Sequence, residues 1–81
     1  MWKINFNQEA RNYIVDSAPY VTGLLVELVK LEHSTTGRPY TGMVDDLGEG
    51  YFLWGIVEHL ILYRRTETDK TIRVLLIKPA T

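Results

Sequence analysis

Eighty-one residues with no cysteine and a formal net charge of −1 describe one small domain, 1–81, with neither a disulfide nor a thiolate zinc site to supplement its core. A folded chain of this length buries only about 60% of the surface its unfolded form exposes, so contact with a partner would help it. No apolar run approaches the roughly 18 residues that would span a bilayer, and the start "MWKINFNQEA" lacks the basic and apolar regions of a signal peptide; no membrane association and a soluble, cytoplasmic protein are expected.

Trp2, Ile4 and Phe6 alternate with Lys3 and Asn5, the period-2 pattern of a half-buried strand, which is predicted over 2–6. Asn7 offers a side-chain oxygen to cap a helix over 8–17, "QEARNYIVDS". Pro19 interrupts it, because an interior proline removes a donor and clashes with the preceding turn. A second helix is therefore predicted over 19–33, with Ser17 as a cap rather than a nucleophile. Val21, Leu24, Leu25, Leu28 and Leu31 form its apolar side. The stretch 34–50, "STTGRPYTGMVDDLGEG", shows no clear period and reads as a loop; at that length it is functional, mobile or conceals a short element. Two β-rich runs follow, "YFLWGIVEHLILYRR" and "TIRVLLIK". The first is too long for one ordinary strand and breaks near Glu58-His59, giving strands over 51–57, 60–66 and 71–78. The expected fold class is α+β: an N-terminal strand, a two-helix hairpin and a three-stranded antiparallel meander.

Both faces of that meander are apolar. Leu60 and Leu62 share a face with Arg64, and Ile61 and Tyr63 share the other with Arg65. Two helices cover one side of a small sheet, so the other side needs the 34–50 loop, a second copy of the chain or a different protein. The exposed patch is expected to include some of Trp54, Ile56, Ile61 and Tyr63, rimmed by Arg64, Arg65 and Arg73. The charge supports this: residues 1–62 carry four Lys/Arg against eight Asp/Glu, whereas 63–81 carry five against two. A weakly acidic chain is a poor general nucleic-acid binder, but its basic end suits a carboxylate-rich partner.

Catalytic candidates are few. His33 and His59 lie in separate elements without metal-ligand spacing, and Asp45-Asp46 reads as a turn, so no metal and no cofactor are expected. Gly48-Glu49-Gly50 lacks the strand-to-helix context and lysine of a phosphate loop. Tyr40 and Tyr51 could stack on a base but read first as structural. The remaining set is His59 as a general acid or base with Arg64 and Arg73 as phosphate-holding groups; Glu58 and Lys78 lie nearby in the strands, and solvated strand ends are the competing explanation.

"WKINFNQEARNYI", "DDLGEGYFLW" and "HLILYRRTETDKTIRVLLI", in that order and spacing, resemble the RelE/ParE superfamily of small bacterial toxins from toxin–antitoxin pairs. The first is similar to that family's opening strand and helix start, the second to the segment leading into its second strand, the third to its last hairpin. The resemblance implies a toxin-like protein held by an acidic antitoxin, or a homodimer, with a macromolecular target such as gyrase or the ribosome. RelE-type nucleases carry lysines or arginines on the second strand, an arginine opening the third, and an arginine with a nearby Tyr or His after the fourth. The corresponding places here are Leu53 and Gly55, then Leu60, then "KPAT". Without those cations and base the family's RNA cleavage lacks its means, so the resemblance points to a ParE-like or degenerate toxin acting through protein binding. The alternatives are a diverged ribosome-dependent messenger-RNA endonuclease using His59 and the arginines, and a non-toxic interaction module that keeps the fold.

Overall fold

The computed structural model describes residues 1–80. Its elements are β1 (Lys3–Phe6), α1 (Gln8–Ser17), α2 (Thr22–Glu32), β2 (Met43–Gly48), β3 (Tyr51–Ile56), β4 (His59–Thr66) and β5 (Thr71–Pro79). The sheet order is β1-β5-β4-β3-β2, with β1 parallel to β5 and every other pair antiparallel. Both helices form the crossover between the two edge strands and pack on one face.

Asn7 caps α1 as its chemistry predicts, its side-chain oxygen accepting from the Ala10 backbone N–H at 2.9 Å. The second helix begins later than expected. Ser17 is the last residue of α1 and not a cap, Pro19 and Tyr20 turn the chain, and α2 starts at Thr22 with no side-chain cap at Val21. The Thr22 hydroxyl instead donates to the Pro19 carbonyl at 2.7 Å. Val21, Leu24, Leu28 and Leu31 are buried as their spacing requires, and Leu25 is half out in solvent.

The stretch read as a loop contains a strand. Residues 43–48 pair antiparallel with β3, Val44 opposite Trp54 and Asp45 opposite Leu53, making a four-stranded meander rather than three. Every residue of β2 is exposed, so no alternation of burial was written into its sequence. Residues 34–42 cross the helix side of the sheet: the Trp54 Nε1–H donates to the Thr41 carbonyl at 2.9 Å, and the Thr41 hydroxyl donates to Glu27 at 3.0 Å. Hydrogen bonds from Lys30 and Thr41 hold the Glu27 carboxyl below its ordinary range. Gly37, with φ near +72°, lies against the Trp2 ring, where a Cβ would come within 2.7 Å; only glycine fits there.

The core is therefore one-sided. Trp2, Phe52, Trp54, Ile61, Tyr63, Ile72, Val74 and Ile77 meet Ala10, Leu24, Leu28 and Leu31 between the sheet and the helices. The Phe52 and Tyr63 rings stack at 5.3 Å. A bulge at Leu75 keeps Val74 and Ile77 both in this layer, since Leu62 pairs with Leu76 and Tyr63 with Val74. Among the described residues no helix is long and apolar enough to cross a membrane.

Candidate functional site

Strand parity and register determine what the opposite face of the sheet carries. Trp54, Ile61 and Tyr63 face the helices, so their odd-numbered or even-numbered neighbours face away. Across the open face run three rows. The first is Tyr51, Arg64, Arg73 and Asn5; the second is Asp45, Leu53, Leu62 and Leu76; the third is Met43, Gly55, Leu60 and Lys78. Among the described residues both helices pack on the other face, and the leucines of these rows are half-buried.

This corrects the expected patch. Trp54, Ile61 and Tyr63 are not available to a partner: each is at most 1% exposed, because the helices chose the face bearing the larger side chains. Arg65 is also occupied. Its Nε donates to the Thr36 carbonyl at 2.6 Å, it pairs with Glu67, and its guanidinium lies 4.7 Å over the Trp2 ring, so it ties the loop to the sheet. Only Arg64 and Arg73 of the expected binding set stand on the open face. They are directly opposite each other on β4 and β5, and neither is ion-paired among the described residues. The Arg64 guanidinium rests 5.1 Å over the Tyr51 ring, which directs it without neutralising it. Sequence reasoning missed Leu53, Leu62 and Leu76 as the apolar part of this surface; their alternation with the buried set was the available signal.

The catalytic candidates do not converge. His59 sits on the helix side of β4, the opposite side from Arg64 and Arg73. Both its ring nitrogens are engaged: Nδ1 lies 2.7 Å from the Val57 carbonyl and Nε2 lies 2.8 Å from the Tyr13 hydroxyl. A carbonyl only accepts, so Nδ1 carries the hydrogen and Nε2 accepts from Tyr13 in the neutral ring. The pair, edge to face at 5.6 Å, anchors the β3–β4 turn to α1. Among the described residues no group of three or more metal-ligating side chains assembles. Glu58 belongs to the same turn and is exposed, and Tyr40 is likewise exposed, its hydroxyl 3.4 Å from the Thr35 N–H.

The open face also has a cleft of about 500 Å³ at the end nearest the β3–β4 turn, with Gly55 between Met43, Leu53 and Leu60, and with Asp45, Glu58, His59 and Ala80 also in its lining. A smaller groove of about 220 Å³ lies elsewhere, between β1 and α2, lined by Ile4, Phe6, Leu25 and Val29.

No family model matches the chain, and no curated protein matches it. Its fold is that of a solved structure: a chain in the crystal structure of the toxin–antitoxin complex RelBE2 from Mycobacterium tuberculosis superposes with a TM-score of 0.70 over 96% of each chain, at 18% sequence identity. The α+β architecture expected from the RelE/ParE resemblance is thus present from end to end.

Proposed function

We propose that this chain is the toxin-like component of a toxin–antitoxin pair, acts through protein binding, and is held by an acidic antitoxin docked on the open face of its sheet. The observation that carries this is the end-to-end fold likeness to a chain of a toxin–antitoxin complex. The open face supplies the chemistry of association. Leu53, Leu62 and Leu76 give an apolar stripe that supplies affinity, and two arginines at its border, without an ion pair among the described residues, favour carboxylates and orient the encounter.

Protein binding is favoured over RNA cleavage by two features. The positions where the resembling nucleases carry cations hold Leu53, Gly55 and Leu60, and the histidine of the catalytic candidates, His59, faces away from both arginines. A phosphodiester held by Arg64 and Arg73 would have no base beside it to take a proton from a 2′-hydroxyl.

The test is a search for a small acidic protein encoded beside the chain, then expression of the chain alone and together with any such protein, followed by growth measurement, purification and a messenger-RNA cleavage assay on translating ribosomes. Growth inhibition relieved by the neighbour, a stable complex and uncut message are expected. Codon-dependent cleavage abolished by His59→Ala would overturn the protein-binding mechanism, and growth indifferent to both proteins would leave an interaction module instead.

A further inference from the structure

Gly55 stands in the middle of β3, where glycine weakens a strand and needs a reason. Its backbone gives none: its φ is not in the left-handed region, and its register is regular on both sides, opposite Met43 and opposite Leu60. Packing gives none either. A Cβ would meet the Leu60 Cδ2 at 3.7 Å, the Met43 carbonyl at 3.9 Å and the His59 carbonyl at 4.0 Å, all ordinary contacts. Gly37, by contrast, has both a positive φ and a ring in the way. What a larger side chain at 55 would do is fill the cleft bounded by Met43, Leu53, Leu60 and Ala80. Glycine in a strand that is neither bulged nor crowded marks a place where an outside group comes close.

We infer that the cleft at Gly55 receives one bulky apolar side chain of an acidic protein segment whose carboxylates reach Arg64 and Arg73; this deepens, and rests on, the open face being the protein-binding surface. The spacing follows from β4. Leu60 and Arg64 lie four residues apart on the same side of the strand, about 13 Å, so the partner's anchor and its acids are separated by that span. In an extended segment the span is about four residues, and in a helix about nine. A second copy of the chain is the poorer occupant. A two-fold contact through this face would bring Arg64, Arg73 and Lys78 of each copy together against a single carboxylate per copy in the three rows, Asp45, leaving an excess of positive charge. A phosphate backbone could meet the arginines, but the stripe of Leu53, Leu62 and Leu76 beside them offers it no further cation.

The probe is a set of synthetic peptides, each with one leucine or phenylalanine and a pair of glutamates at separations of about two to ten residues, which brackets both geometries. Controls replace the anchor by serine or the glutamates by lysine. Binding is measured by amide chemical shifts of the intact protein and by fluorescence anisotropy, beside urea unfolding and sedimentation of the free chain. The expected result is binding that needs both anchor and acids, moves the Gly55 amide, and falls about tenfold or more in Gly55→Val, while the variant unfolds at the same or higher urea concentration. Should Gly55→Val fail to fold, Gly55→Ala and the Gly55 shift in the unmutated protein decide the matter. Binding lost with Arg64→Ala or Arg73→Ala but untouched by Gly55→Val overturns the anchor cleft and leaves the open face standing as the binding surface. Binding that maps to the β1–α2 groove overturns both. Selective binding of the lysine peptides, no binding by any peptide at millimolar concentration, or a concentration-dependent dimer broken by Gly55→Val also overturns the inference.

Discussion

Arg73→Glu should stabilise the free protein while weakening its association with an acidic partner. Arg64 and Arg73 are directly opposed across β4 and β5, and no acidic side chain among the described residues is ion-paired with either. Opposed side chains start about 5 Å apart at Cβ, and like charges there are destabilising. With the guanidinium groups about 7 Å apart, the repulsion in water is about 0.6 kcal/mol, and physiological salt roughly halves it. Replacing Arg73 by glutamate removes that repulsion and adds an attraction of similar size, about 0.6 kcal/mol together, or about 3 °C in the midpoint of a domain this small. Arg73→Gln should give about half of this. Urea and thermal unfolding at low, physiological and about 1 M salt form the assay, because a Debye length near 3 Å at the last should erase the difference. Loss of more than about 1 kcal/mol in Arg73→Glu, or a gain that salt leaves unchanged, would refute the claim that these arginines are held for a partner rather than for the fold.

Three further outcomes follow from the packing. Tyr63 is fully buried with its hydroxyl unpartnered, and burial pushes its pKa up to about 12, so its contribution is intact below the unfolded value near 10 and is lost as pH rises through about 12. Tyr63→Phe should therefore equal or exceed the parent in urea stability by about 1 kcal/mol and move alkaline unfolding to higher pH, read by circular dichroism. Trp54→Ala removes a core ring and its hydrogen bond to Thr41, costing about 3 to 5 kcal/mol, enough to unfold much of a small domain at 37 °C; a folded variant that only loses partner binding would contradict its place in the core. Tyr13→Phe should cost about 1 kcal/mol by urea unfolding through the lost bond to His59 and leave partner affinity unchanged, since both residues lie on the helix side.

Much of this arrangement is legible in the residues, and what is not has physical causes. Asn7 and Pro19 mark the limits of α1 because capping and proline geometry act locally. β3, β4 and β5 are visible because aliphatic alternation is dense there. β2 is not, since "MVDDLG" is an exposed edge whose backbone pairing leaves no hydrophobic period behind. The parity of "HLILYRR" was equally plain, but parity divides residues between two faces without saying which one the helices will cover. With Ile61 and Tyr63 on one face and Leu60 and Leu62 on the other, the choice depends on Trp2, Trp54 and α2 packing together, which is a tertiary matter. For the same reason Arg65 looked like a rim cation from its position, although Thr36, Glu67 and Trp2 engage it from distant segments.

The face that binds is resolved most directly by leucine-methyl NMR of the folded chain as the proposed acidic partner, or a peptide combining an apolar anchor with a pair of glutamates, is added. Leu53, Leu60, Leu62 and Leu76 report the open face, while Leu25 and Leu28 report the β1–α2 groove and Leu24 and Leu31 report the core. Shifts concentrated in the first four, reduced by Arg64→Ala and Arg73→Ala, are the result predicted. Shifts confined to Leu25 and Leu28, with the open-face methyls unmoved at saturation, would contradict it.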